Sequence, residues 1–155
     1  MKPKIIAQDK IHLRQLIEKE IGQHGIDCDL NHINVSNVTD MSNLFFESKF
    51  NGSISQWDVS NVISMEKMFY NTNFNQDISN WNVSNVINMR TMFNCSKFNQ
   101  DISGWVVTSA IKMQWMFARS KFNQDISKWD VSSVTNMSGM FYESHFNQDI
   151  SRRDV

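Results

Sequence analysis

A chain of 155 residues with 15 Lys and Arg against 16 Asp and Glu has a formal net charge of −1, which lacks the electrostatic footprint of a nucleic-acid or anionic-membrane binder. Its 10 Met, 11 Phe and 5 Trp, beside a single Pro and 5 Gly, exclude a disordered tail and provide for one continuous core. Cys28 and Cys95 fall in different parts of the sequence pattern and read as free thiols rather than a disulfide framework.

The opening "MKPKIIAQDKIHLRQLIEKEIGQHG" has no apolar segment of signal-peptide length. No stretch approaches the roughly 18 apolar residues of a membrane span, so the chain reads as soluble, without membrane insertion. Asp9 begins a helical pattern that sets Leu13, Leu16, Ile17 and Ile21 on one face, with Gly22 or Gly25 placed to stop it. Residues 1–25 are therefore expected to be a capping helix on a second region, residues 26–155. That region starts with "CDLNHINV", a degenerate first coil in which Leu30 and Ile33 take slots that later belong to Ile and Trp.

From there a 24-residue period governs the chain. Trp57, Trp81, Trp105 and Trp129 keep that step, as do Phe50, Phe74, Phe98, Phe122 and Phe146, and Met41, Met65, Met89, Met113 and Met137. Such a period predicts a solenoid of about five coils, the last truncated, because no single unit can bury its own apolar face. Within a unit, Ile54, Trp57 and Val59 end in the alternation of an extended segment, whereas Val62, Met65, Met68 and Phe69 trace one face of a short helix. Ser60 is placed to cap that helix, and Ser36, Ser84, Ser132 and Thr108 repeat the device. The expectation is a parallel sheet along one side and short helices along the other.

The unit from Phe98 to Lys121 breaks the pattern most. Val106 stands where Asp58, Asn82 and Asp130 stand in other units, Ala110 replaces a Val, and Trp115 occupies the slot of Lys67, Thr91 and Gly139. At the C-terminus, "DISRRDV" sets Arg153 in the Trp slot. A charge there either keeps a terminal strand from further pairing or leaves Arg152, Arg153 and Val155 as a docking edge for a second copy.

"ISQWDVSNV", Ile54 to Val62, reproduces the leucine-rich-repeat spacing L-x-x-L-x-L, and the longer phrase "FNQDISxWxVSNVxxMxxMF" recurs from about Leu30 to Val155. The chain thereby resembles the BspA-like leucine-rich-repeat family of bacterial surface proteins. That resemblance implies a curved right-handed solenoid displayed on a bacterial surface, with adhesion or partner binding across its sheet face. No lipobox or wall anchor is seen, which leaves location open between surface and cytoplasm.

Two polar columns invite chemistry. Asp77, Asp101, Asp125 and Asp149 could gather a cation, or each could accept backbone N–H groups at a corner. A residue required in every coil points to the corner. Asn51, Asn75, Asn99, Asn123 and Asn147 are read the same way, as an amide ladder. His24, Cys28 and His32 have metal-ligand spacing only on a helix, and Gly25 interrupts one, so no metal or cofactor is expected. No nucleophile elbow, phosphate loop or H-E-x-x-H motif occurs. The expected function is non-enzymatic: a scaffold binding a protein partner. Trp115 and Val106 are candidate contacts, with Asp58, Asn82, Lys128 and Asp130 on the outward face. The alternative is a structural module that dimerises through its terminal coil.

Overall fold

The computed structural model describes residues 3–151. It contains one helix, α1 (Lys10–His24), and two strands of two residues, β1 (Ile5–Ile6) and β2 (Ile33–Asn34); the remaining described residues are turns and coil. The right-handed leucine-rich-repeat-like solenoid, with a sheet on one side and helices on the other, is therefore overturned. No repeated strand forms at Ile54–Val59, and no helix forms at Val62–Phe69.

The reason lies in where the backbone N–H groups go. The N–H groups of Met65, Lys67, Phe69 and Asn71 donate to the carbonyls of Asn88, Arg90, Met92 and Asn94, at 2.9, 3.0, 2.9 and 2.8 Å. Between them, Met68 and Tyr70 donate back three residues, to Met65 and Lys67 at 3.1 and 3.2 Å. Donors thus alternate between a tight turn and the next 24-residue unit. An α-helix would direct every one of these N–H groups to the carbonyl four residues back, leaving nothing to join the units. The apolar pairs three apart, Ile54/Trp57, Val59/Val62 and Met65/Met68, are the two ends of β-turns closed at 3.2, 2.9 and 3.1 Å. Both ends of each turn are buried, and the intervening residues are polar.

Alternation needs left-handed backbone. Lys67 and Asn71 have φ of 55° and 51°, and Thr91, Cys95, Trp115 and Arg119 repeat the geometry. Each such non-glycine residue costs about 1–2 kcal/mol. The cost is tolerated because every one of these residues donates its N–H to the following unit. Four isolated parallel bridges, Asp40 to Ser64, Ser64 to Asn88, Asn88 to Lys112 and Lys112 to Asn136, are all that resembles the expected sheet along this region.

Side chains lock the same register. Phe45, Phe69, Phe93, Phe117 and Phe141 stack in a file at 5.5–5.9 Å between centroids. Phe50, Phe74, Phe98, Phe122 and Phe146 form a second file at 6.2–6.3 Å. Trp57 stacks on Trp81 at 6.5 Å and Trp105 on Trp129 at 6.4 Å. Each indole Nε1 of these four donates at 3.1 Å to a carbonyl 27 residues earlier, for example Trp81 to Ile54. The buried indole N–H is thereby satisfied, which is what lets so large a polar-tipped ring enter a core.

The helix α1 forms where the sequence places it. Asp9 caps it by accepting the N–H of His12 at 2.8 Å, and Gly25 ends it at φ 86°. Leu13 and Ile17 are buried against the first unit, while Lys10 pairs with Asp40 at 3.0 Å and also meets Ser42. Strand β1 runs parallel to β2 with Ile5 opposite Ile33. The predicted serine caps are not caps. The Ser60 N–H and hydroxyl both donate to Asp58 Oδ1, at 3.1 and 2.6 Å, closing an Asx turn.

Candidate functional site

The polar columns are fastenings. Asp77, Asp101, Asp125 and Asp149 each accept the N–H of the serine two residues on, at 2.8 Å. Hydrogen bonds from Ser79 and Ser103 lower the pKa of Asp77 and Asp101, opposed first by desolvation and then by the next carboxylate of the column. Asn75 Oδ1 accepts the Asn99 N–H at 2.8 Å and the Gln100 amide at 3.2 Å, and Asn99 and Asn123 repeat the arrangement one and two units further on. Each amide therefore clips one unit to the next.

The outward candidates are surface residues with unequal chemistry. Asp58, Asn82 and Asp130 are exposed, and each accepts the N–H of the following serine, Ser60, Ser84 or Ser132, at 3.0–3.1 Å. Serine hydrogen bonds lower the pKa of Asp58 and Asp130. Val106 replaces that acceptor with an isopropyl group that is 55% exposed, and Lys128, two residues before Asp130 in sequence, is exposed as well. Arg152, Arg153 and Val155, the self-association candidates, lie outside the described residues.

Trp115 sits in a hollow that sequence reading foresaw only in part. Thr91, Asn94, Trp115, Ala118, Arg119 and Tyr142 line a depression of about 440 Å³. The Trp115 and Tyr142 rings meet edge to face at 5.4 Å and 70°, and are 39% and 47% exposed. Arg119 Nε donates to Glu143 Oε2 at 2.8 Å while its guanidinium lies 5.7 Å from the Tyr142 centroid. Asn94 Nδ2 reaches the Trp115 carbonyl at 3.3 Å.

Trp115 fits because Gly139 occupies the same slot one unit later. A Cβ on Gly139 would lie 2.7 Å from the Trp115 ring, so the indole lies directly over a position with no side chain. Tyr142, Asn94, Ala118 and Arg119 were missed by sequence reading. The available signal was the file Phe46, Tyr70, Asn94, Ala118, Tyr142, in which aromatics give way to small residues and then return.

At the helical end, Glu20 is buried, with its Oε2 at 3.7 Å from His24 Nε2 and 3.5 Å from His32 Nε2. Among the described residues no three His, Cys, Asp or Glu side chains are placed to hold a metal ion, and Cys28 and Cys95 are not joined in a disulfide. No helix of the described residues is long and apolar enough to cross a membrane.

Two overlapping stretches, residues 15–121 and 94–155, match the family described as "Mycoplasma protein of unknown function, DUF285". No curated protein and no solved structure matches the chain.

Proposed function

We propose that this chain, which belongs to the DUF285 family, is a non-enzymatic scaffold that binds a protein partner. The observation that carries the reading is the contrast between the columns and the unit from Phe98 to Lys121. Where a polar residue recurs, it fastens neighbouring units or closes a turn. Where the pattern breaks, Val106 and Trp115 present apolar surface to solvent. Exposed aromatic anchors supply a large share of the energy at protein interfaces. Resemblance to BspA-like proteins extends the proposal to adhesion at a bacterial surface.

The test is capture of a cross-linked partner by the wild-type chain and by Trp115→Ala and Val106→Asp. Either change is expected to weaken capture about tenfold or more, as loss of a hot-spot contact does, with the sedimentation coefficient unaltered. Unchanged capture by both variants would refute this choice of surface.

The second reading, association of copies through the terminal coil, is favoured by one observation. Val131, Val134, Met137, Phe141, Phe146 and Ile150 are only partly buried, unlike most of their counterparts in earlier units. A concentration-dependent sedimentation coefficient that Arg153→Glu abolishes would favour this reading over the first.

A further inference from the structure

The last turn run presents an edge that every earlier unit pairs. Met41, Asn43, Phe45 and Glu47 donate their N–H groups to the carbonyls of Ser64, Glu66, Met68 and Tyr70 at 2.9, 2.9, 3.0 and 2.8 Å, and the three units that follow repeat the set. Met137, Gly139, Phe141 and Glu143 hold these slots in the last run. Among the described residues none of their N–H groups has a backbone acceptor.

The run is nonetheless built like the others. Its carbonyls at Asn136, Ser138, Met140 and Tyr142 accept from the preceding unit at 2.8–3.0 Å, and the N–H groups of Met140, Tyr142 and Ser144 close its turns at 3.0–3.1 Å. Gly139 and Glu143 keep left-handed φ of 63° and 51°. Backbone that alternates between the two hands turns its intervening N–H groups to one side, so the row is arranged before any ligand arrives. The apolar side chains beside it are uncovered as well. Val131, Val134, Met137 and Phe141 are only partly buried, whereas Val107, Ala110, Met113 and Phe117, their counterparts one unit back, are at most 1% exposed.

Inside the molecule one kind of segment meets both demands. Residues 59–73 supply four carbonyls to Met41, Asn43, Phe45 and Glu47, and stack Phe69 on Phe45 at 5.5 Å. They also carry Val59, Val62 and Met65 into the core that holds Val35, Val38 and Met41. A second copy has no such row to offer at its first unit, where α1 is packed. There Arg14, Ile17 and Ile21 share a hollow with Asn43, Leu44 and Phe45, and Arg14 donates to the Asn43 carbonyl at 3.2 Å.

We infer that the edge of the last turn run binds a segment of a partner protein with the apolar spacing V-x-x-V-x-x-M-x-x-M-F. Its carbonyls pair with the N–H groups of Met137, Gly139, Phe141 and Glu143, and its apolar residues cover Val131, Val134, Met137 and Phe141. This surface goes beyond the scaffold reading and does not depend on Trp115 or Val106.

The probe is a synthetic peptide of residues 59–73, VSNVISMEKMFYNTN, added to the isotope-labelled wild-type chain while amide exchange is followed by NMR. The amides of Met137, Gly139, Phe141 and Glu143 are expected to exchange about tenfold or more slowly with the peptide bound, while those of Met65, Lys67, Phe69 and Asn71 keep their rates. A peptide carrying Phe69→Asp should bind at least about tenfold more weakly, and the Trp115→Ala chain should bind the unaltered peptide as wild type does. Binding weaker than about 1 mM, protection of other amides in place of these four, or equal binding of the Phe69→Asp peptide would overturn the inference. Such a failure leaves partner capture through Trp115 and Val106 as it was, so the two surfaces stand or fall separately.

Discussion

Asn99 illustrates how much one side chain does here. Its Oδ1 accepts both the N–H of Asn123 and the amide of Gln124, and its own N–H donates to Asn75. Asn99→Ala should cost about 1–3 kcal/mol, the penalty for stranding polar groups in a partly buried place. Asn147→Ala should cost under about 0.5 kcal/mol, as a surface change does, because its Oδ1 accepts no bond among the described residues. Urea midpoints at matched m-values separate the two. The turn aspartates make a pH prediction. Serine hydrogen bonds lower the pKa of Asp58, Asp77, Asp130 and Asp149 in the fold. A depressed carboxyl stabilises the fold above its unfolded pKa of about 3.9, and that contribution disappears as pH falls through the lower folded value. Stability should thus drop below about pH 4. Asp77→Asn, which keeps an acceptor as Asn82 does, should make the acid limb of a melting-temperature profile shallower. The role of these columns was legible in the sequence, because a residue demanded in every unit is one the backbone needs.

Elements were less legible, and unevenly so. The helix α1 could be read because Asp9, Leu13, Ile17 and Gly25 give cap, face and stop together. The turn run could not, since apolar residues three and four apart suit a helix face and a chain of β-turns equally. Left-handed positions usually announce themselves with Gly or Asn, but Lys67, Thr91 and Trp115 conceal them. Substitution separates the two structures by sign. Lys67→Gly in a helix would destabilise by about 1 kcal/mol. At φ 55° it removes a strain of about 1–2 kcal/mol and adds a chain-entropy cost of about 0.5–1 kcal/mol, so thermal denaturation should show an unchanged or slightly raised stability. Gly52 makes the opposite prediction. A Cβ there would stand 1.9 Å from the Cys28 carbonyl oxygen and 2.8 Å from the Phe50 ring. Gly52→Ala should therefore lower stability by roughly 1–3 kcal/mol, as overpacking does, although Gln occupies the equivalent Gln76, Gln100 and Gln124 positions.

At the scale of the whole molecule, the units are joined in both directions. The N–H groups of Met65, Lys67, Phe69 and Asn71 and their counterparts bond to carbonyls 23 residues ahead, whereas those of Ile63, Ile87, Ile111 and Thr135 bond to carbonyls 24 residues back. At the helical end, Arg14 donates to the carbonyl of Asn43 at 3.2 Å. At the other end the N–H groups of Met137 and Phe141, whose counterparts donate in every earlier unit, have no backbone acceptor among the described residues. Register is also fixed at this scale. Removing residues 74–97, one whole period, should leave a chain that still unfolds cooperatively in denaturant, because Phe98 then takes the place of Phe74. Removing residues 86–97, half a period, would set Phe files against turn residues and should abolish the transition. The period itself was plain in the sequence. The number of units did not reveal that turns rather than helices and strands would carry it, because that choice depends on which carbonyl each N–H selects.

The most direct test is therefore the measurement of scalar couplings across hydrogen bonds by NMR on the deuterated chain. A ladder between units requires that the amide nitrogens of Lys67, Phe69 and Asn71 couple to the carbonyl carbons of Arg90, Met92 and Asn94. Couplings from Phe69 and Tyr70 to the carbonyls of Met65 and Glu66, with none to the following unit, would restore the helix and contradict the ladder.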